Sequence, residues 1–254
     1  MRQFIFLTLF PEMIQQAASF SILGRAVQEG LLSVACVNPR DFATDRHRSV
    51  DDTTCGGGAG MVLQPRTYLA ALERARELAP EALVLAMTPA GEALKQQRVC
   101  SLAASGRDLI FCCGHYEGFD ERILAQADLR LSVGDFVLTG GELPALAVMD
   151  AVARFIPGVL GKAVSAEEES FAAGLLEYPQ YTRPVDYQGQ LVPSVLTSGD
   201  HGKIETWRRK EALRTTLKYR PELLRTVPWQ PGDGKLFLAV QAEEKNQGKD
   251  PEKD

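Results

Sequence analysis

The sequence predicts an α/β fold, a mainly parallel sheet covered by helices, followed by a small, mostly helical second domain. Three observations carry this. Up to about residue 160, short apolar runs alternate with amphipathic segments, the pattern of successive βαβ units. Within Ser132–Asp150, SVGDFVLTGGELPALAVMD, the apolar run Phe136–Leu138 stops at Gly140-Gly141 and an apolar helical stretch follows at once. A strand ending in a glycine turn before a helix is how α/β proteins build small-molecule sites, because glycine lets backbone come close to a ligand. From Gly202 onward the composition turns helical.

The elements follow in order. The N-terminal stretch MRQFIFLTLFPEM is read as a first strand, Gln3–Phe10. Its apolar run spans only about seven residues, is interrupted by Thr8, and leads to Pro11-Glu12 with no small-residue cleavage site, unlike a signal peptide. Helix Glu12–Gln28 and strand Leu32–Val37 come next. Helix Pro65–Glu77 opens on a proline, which suits a first helical turn. Strand Ala82–Met87, helix Glu92–Ala104, strand Leu109–Cys113, helix Phe119–Gln126, strand Leu129–Val133 and helix Leu143–Phe155 complete the first domain, residues 1–160. Gly158–Gly174 is rich in small and acidic residues with little apolar periodicity, so 161–174 reads as a flexible linker. Residues 175–243 form the second domain, with Trp207, Leu213, Leu217, Leu223 and Leu224 as core candidates. Residues 244–254, EKNQGKDPEKD, read as a disordered tail.

Bulk properties narrow the function classes. The chain has 254 residues, 45% hydrophobic and 24% charged, ordinary values for a globular protein. No apolar run approaches the roughly 20 residues of a membrane span. Five cysteines, an odd number without a CxxC pair, argue against a disulfide framework or a zinc site and for a reducing, cytoplasmic compartment. The net charge of −5 argues against nucleic acid, but segment 201–226 holds eight Lys/Arg and three Asp/Glu, a local +5. That segment reads either as a basic patch or as a solvated helix face.

Several constellations could carry chemistry. Cys55–Met61, CGGGAGM, suggests close backbone approach, yet no Gly-Lys-Ser/Thr follows as in a P-loop, and no GxGxxG fingerprint of a dinucleotide dehydrogenase follows the first strand. Arg46, His47 and Arg48 could contact phosphate, or be balanced by Asp51 and Asp52. Cys113–Arg122, CGHYEGFDER, puts Gly114 at a strand's C-terminal end, offers the Tyr116 ring for stacking and the Glu117 carboxylate for a cation or hydroxyl, and places Asp120 and Glu121 in a first helical turn. In Ser170–Pro184, Tyr178 and Tyr181 could stack on bases and Arg183 could bind phosphate; a proline-rich structural loop is the alternative. Ser198 or Asp200 could cap the helix beginning nearby.

Together these stretches resemble the bacterial tRNA (guanine-N1)-methyltransferases of the knotted SPOUT superfamily. The resemblance spans residues 1–226 in consistent order: FPEM (10–13), DRHRSVDD (45–52), GGGAGM (56–61), YEGFDER (116–122), VGDFVLTGGELPA (133–145), RFIPGVLG (154–161), SFAAGLLEYPQYTRP (170–184) and SGDH (198–201). It implies a deep trefoil knot, an exception to the rule against threaded chains. It implies S-adenosylmethionine as methyl donor, magnesium dependence, and a homodimer with each site between two subunits. The substrate it implies is tRNA with guanine at position 37, beside the anticodon and preceded by another guanine. No separate metal-ligand cluster is visible in the sequence.

Carried over by position, the resemblance places Thr88, Gly114, Tyr116, Glu117, Val133, Gly134, Asp135, Phe136, Val137, Leu138, Gly140, Gly141 and Pro144 at the donor. Arg154 matches the family's arginine that stabilises charge on guanine O6. The family's general base is an aspartate directly before the Ser-Phe pair; here that position is Glu169, one methylene longer. His115 replaces a usual arginine, Thr54-Cys55 a Pro-Tyr pair, and Phe136 a tyrosine. The changed base leaves a second reading, a knotted RNA-binding protein that no longer methylates, and a third, methylation of another RNA site.

Overall fold

A computed structural model describes residues 1–160 and 170–247. The chain divides into two compact units, 1–163 and 164–254.

In the first unit, β1 (Arg2–Leu7) pairs in parallel with β2 (Leu32–Val37) and with β6 (Leu109–Cys113). β6 pairs in parallel with β5 (Leu83–Ala93), and β5 with β7 (Leu129–Ser132), giving a five-stranded sheet of order β2-β1-β6-β5-β7. The sheet is buried on both faces, and the period-2 alternation of each strand divides its side chains between two cores. Phe4, Phe6, Leu85, Met87 and Phe111 join one core, capped by α1 (Pro11–Ala17), α2 (Ser21–Gln28), α4 (Gln96–Ala104) and α6 (Glu142–Ala153). Ile5, Leu7, Val84, Ala86 and Ile110 join the other, under α3 (Pro65–Leu78) and α5 (Glu121–Leu124). This is the parallel, helix-covered sheet that the alternating pattern predicts.

Four local expectations are corrected. The single helix 12–28 is two helices, because the chain turns at Ser19-Phe20; a Cβ on Gly24 would lie 2.1 Å from the Ser19 carbonyl oxygen, so only glycine allows the turn. The helix expected over 119–126 is only the short α5, capped by Asp120, whose carboxylate accepts from Arg122 N. β5 runs on past Met87: Met87 and Glu92 both align with Leu131, so residues 88–91 leave the ladder as a bulge. The run Phe136–Leu138 is not a strand. It pairs with no strand among the described residues, and Val137 is 82% exposed.

The glycine-rich loop 54–60 joins two short antiparallel strands, β3 (Asp51–Thr53) and β4 (Met61–Leu63). Its base is tied to the loop after β6, since Glu117 N donates to Met61 O and Leu63 N donates to Gly118 O.

The second unit is built on α7 (His201–Tyr219) and α8 (Asp233–Gln247). Asp200 caps α7, accepting from Lys203 N at 3.1 Å. Ala212 and Leu213 pack with Leu175 and Val227, while Leu224 and Leu236 are partly buried against them. Ion pairs join the two helices: Lys210 with Glu243, Arg214 with Glu244, and Arg209 with the buried Asp233. Because Glu243 and Glu244 are held this way, α8 continues to Gln247, and residues 244–247, expected in the tail, are helical. A small hairpin of β8 (Asp186–Tyr187) and β9 (Gln190–Leu191) was not foreseen. No helix among the described residues is long and apolar enough to cross a membrane.

Candidate functional site

Parallel strands leave their C-terminal ends free of ladder partners, and loops from those ends can converge on a ligand. Here the loops after β6 and β7 and the bulge of β5 enclose a cavity of about 280 Å³. The first wall is Gly114–Gly118. Its backbone is tightly wound, with Tyr116 at φ 61°, a left-handed conformation uncommon for a non-glycine residue. This presents the Tyr116 ring 52% exposed. The second wall is the irregular segment Val133–Gly141, and the third comes from Thr88 and Pro89 in the bulge.

The Gly140-Gly141 turn closes the cavity against the first wall. Gly141 N donates to Gly114 O at 2.8 Å. A Cβ on Gly141 would lie 2.7 Å from Cys113 Cα and from Gly114 N, and one on Gly140 would lie 2.3 Å from the His115 ring. Both glycines are therefore required for this approach of two backbone segments.

Twelve of the thirteen residues expected at the donor line this one cavity: Thr88, Gly114, Tyr116, Glu117, Val133, Gly134, Phe136, Val137, Leu138, Gly140, Gly141 and Pro144. Asp135 does not. Ser132 Oγ donates to Gly134 O at 3.0 Å and Gly134 packs against the Phe136 ring, so the chain bends there and leaves Asp135 exposed between them. His115, noted in the sequence as a departure from the family's arginine near RNA or cofactor contacts but not placed at the donor, also lines the cavity, as do Phe119 and Thr139, which sequence reasoning passed over. His115 is flanked by two residues that were chosen, and that adjacency was the available signal.

Arg154 is placed elsewhere. It ends α6, half-buried, with its N–H donating to Asp150 O at 3.3 Å, and it does not line the cavity. The twelve residues of α6 span about 18 Å, which separates Arg154 from the Gly140-Gly141 turn at the other end. Glu169 and residues 161–169 of the linker expected over 161–174 lie outside the described residues.

The polar run 40–52 is tied up locally: Arg48 pairs with Asp41, and Asp45 accepts from His47 N and Ser49 N. It contributes nothing to the cavity lining. Asp120, held by the Arg122 guanidinium, titrates at about 2. Among the described residues no group of three or more His, Cys, Asp or Glu could hold a metal ion.

In the second unit, Tyr178 and Tyr181 both lie against Trp207, with ring centroids 6.4 and 6.3 Å away, and the Arg208 guanidinium sits 4.9 Å over the Tyr178 ring. Tyr181 keeps half its surface exposed. Arg183 precedes Pro184 in the same exposed loop.

Comparison with known proteins adds to this geometry. Residues 1–226 match the family model described as tRNA (Guanine-1)-methyltransferase TrmD. A protein of Desulforudis audaxviator (strain MP104C) is 50% identical, over 92% of this chain and 94% of its own length. One of Anaeromyxobacter dehalogenans (strain 2CP-C) is 52% identical, over 92% and 95%. One of Gloeobacter violaceus (strain ATCC 29082 / PCC 7421) is 53% identical, over 85% and 96%. All three are named tRNA (guanine-N(1)-)-methyltransferase.

Proposed function

The chain belongs to the tRNA (guanine-1)-methyltransferase family, and we propose that it transfers a methyl group from S-adenosylmethionine to N1 of guanine 37 in tRNA. The observation that carries the donor assignment is the backbone-lined cavity at the strand ends, where twelve of the residues singled out beforehand meet. The non-catalytic reading is not favoured, since the relatives bear methyltransferase names.

The cavity residues fit this donor. A Cβ on Gly114, Gly140 or Gly141 would strike Phe119, His115 or the Cys113–Gly114 backbone, so these glycines let the two walls close up and offer main-chain groups to an adenosine. Tyr116 and Phe136 offer rings for stacking, and Glu117 a carboxylate for the donor's amino group. When bound, S-adenosylmethionine supplies a methyl group already activated on a sulfonium. The protein's remaining tasks are orientation and proton transfer. Glu169 takes the proton from N1, freeing the ring nitrogen to form the new N–CH₃ bond. Arg154 donates to O6 as negative charge gathers there. The guanine leaves its stack first, at a cost of a few kcal/mol. The basic α7 and the Tyr178–Tyr181–Trp207 cluster grip the tRNA, and the tRNA substrate places the enzyme in the cytoplasm. Magnesium dependence rests on the family alone; among the described residues no group of three or more His, Cys, Asp or Glu is placed to hold the ion.

The separation of Arg154 from the cavity supports a site completed by a second copy of the chain, in a homodimer built on the family's trefoil knot. An exposed apolar band, Phe10, Met13, Phe20, Ile22 and Leu143, supports the same reading. The test uses tritiated S-adenosylmethionine and tRNA transcripts carrying guanine at 36 and 37, with the modified nucleotide mapped. Label at N1 of guanine 37 is expected. Glu169→Gln lowers the single-turnover rate by about 100-fold or more, the worth of a positioned general base. A near-normal rate in that variant overturns the base assignment, and label at another nucleotide overturns the substrate assignment.

A further inference from the structure

Beneath the cavity, one buried carboxylate joins three chain segments. Glu142, the first residue of α6, is 2% exposed. Its Oε1 accepts from Thr8 Oγ1 at 2.6 Å, and its Oε2 lies 2.7 Å from His115 Nε2. A carboxylate only accepts, so the imidazole N–H donates to it. Thr8, just past β1, is fully buried, and its hydroxyl also accepts from Phe10 N at 2.9 Å. The Phe10 ring packs against the imidazole, with centroids 5.0 Å apart. Both carboxylate oxygens and the hydroxyl are thus committed, and the chain Phe10 N–Thr8–Glu142–His115 runs from the end of β1 to the cavity wall.

We propose that Thr8, Glu142 and His115 are positioning residues for methyl-donor binding: they clamp the Gly114–Gly118 wall to the Gly140-Gly141 turn so that the cavity is formed before the donor arrives. Two features point this way. The wall that closes the cavity, Val133–Gly141, has no regular structure and exposes Phe136 and Val137. It is fixed at its C-terminal end by the backbone bond from Gly141 to Gly114 and by this side-chain chain. His115 is also the only member that both touches Glu142 and lines the cavity. A preorganised pocket binds more tightly because ordering it costs nothing at the moment of binding.

The inference rests on the reading that the cavity holds the donor. Its test measures S-adenosylhomocysteine binding by calorimetry and methylation kinetics on the full chain. Removing one hydrogen bond to a charged group lowers affinity about tenfold. His115→Ala should therefore weaken binding and raise the donor KM by about that factor, with kcat and the tRNA KM within about twofold of wild type. His115→Gln, which keeps an N–H donor, should recover most of the loss. Thr8→Val, with similar volume, should weaken binding, and His115→Ala/Thr8→Val should lose less than the product of the single losses, since both act through Glu142. Melting curves separate a loosened pocket from an unfolded protein, and Thr8→Val and His115→Gln serve if His115→Ala does not fold. Leu138→Arg puts a charge into the cavity. If it abolishes binding while Thr8→Val and His115→Ala bind as wild type, the clamp is refuted. If Leu138→Arg binds normally, both the cavity assignment and the clamp are refuted.

Discussion

Replacing Gly141 by alanine tests whether two backbone segments must touch for the donor site to exist. The added Cβ would sit 2.7 Å from Cys113 Cα and 2.7 Å from Gly114 N. Carbon atoms in good contact lie about 3.5–4.0 Å apart, so the turn and the β6 terminus must separate by roughly 1 Å. The conformation itself is not the obstacle: Gly141 has φ −83° and ψ −5°, which alanine adopts freely. The cost is purely steric, about 1–3 kcal/mol for an overpacked position that cannot relax through a side chain. A shift of about 1 Å at a reacting geometry lowers a rate on the order of 100-fold. Gly106→Ala is the control, because its φ of +63° brings backbone strain of about 1 kcal/mol but nothing lies within 4 Å of its Cβ. Both variants should melt at lower temperature, and only Gly141→Ala should lose S-adenosylhomocysteine affinity in calorimetry and single-turnover methylation. If Gly141→Ala keeps its affinity within twofold and more than half its rate, the contact does not shape the site.

Two further outcomes follow from burial and charge. Asp233 is 2% exposed and accepts from Arg209 Nε and Nη2 at 3.0 and 2.6 Å and from Gln230 N at 2.7 Å. Asp233→Ala strands a largely buried guanidinium, so unfolding of the second unit should lose about 3 kcal/mol, read from denaturant melts followed by Trp207 and Trp229 fluorescence. Arg209 holds this carboxyl below its usual range. Its contribution is therefore complete above the unfolded value of about 3.9 and disappears as pH falls through the lower folded value, so the gap between wild type and variant should begin to narrow below about pH 4 and close only beneath the folded value; a gap that widens in acid contradicts the ion pair. At pH 8, alkylation should reach the exposed Cys55 and Cys100, while Cys112, pushed by burial to about 12, and Cys113, also raised by burial, react only after unfolding. Native-state labelling of Cys112 as fast as Cys55, read by peptide mass spectrometry, would contradict the sealed sheet.

The strands that build the sheet were legible because each is short, apolar and bounded by polar segments. β6, Leu109–Cys113, is found with the bounds its run suggests. What was not legible depended on partners distant in sequence. Phe136–Leu138 has the composition of a strand, but β-structure requires a paired neighbour, and that segment pairs with none among the described residues. The hairpin Asp186–Leu191 turns at Gln188-Gly189, a weak signal inside a proline-rich stretch. The cavity lining was largely visible because its glycines and aromatics sit at strand ends, where chemistry and topology coincide. The Thr8–Glu142–His115 chain was invisible: its members are separated by more than 100 residues, from Thr8 to His115, and no spacing rule links them.

The same geometry divides the reaction between two places. The cavity is lined for the most part by glycines and apolar side chains, which suits a donor that arrives already activated and needs only to be held. The charged work, removing a proton from N1 and meeting the charge on O6, falls in the proposed mechanism to Glu169 and to Arg154, a helix length from the glycine turn. On that reading donor binding needs only the one pocket, whereas transfer also needs the group at the far end of α6. On the same reading, the donor can occupy its cavity without reacting until tRNA and the remaining groups are in place.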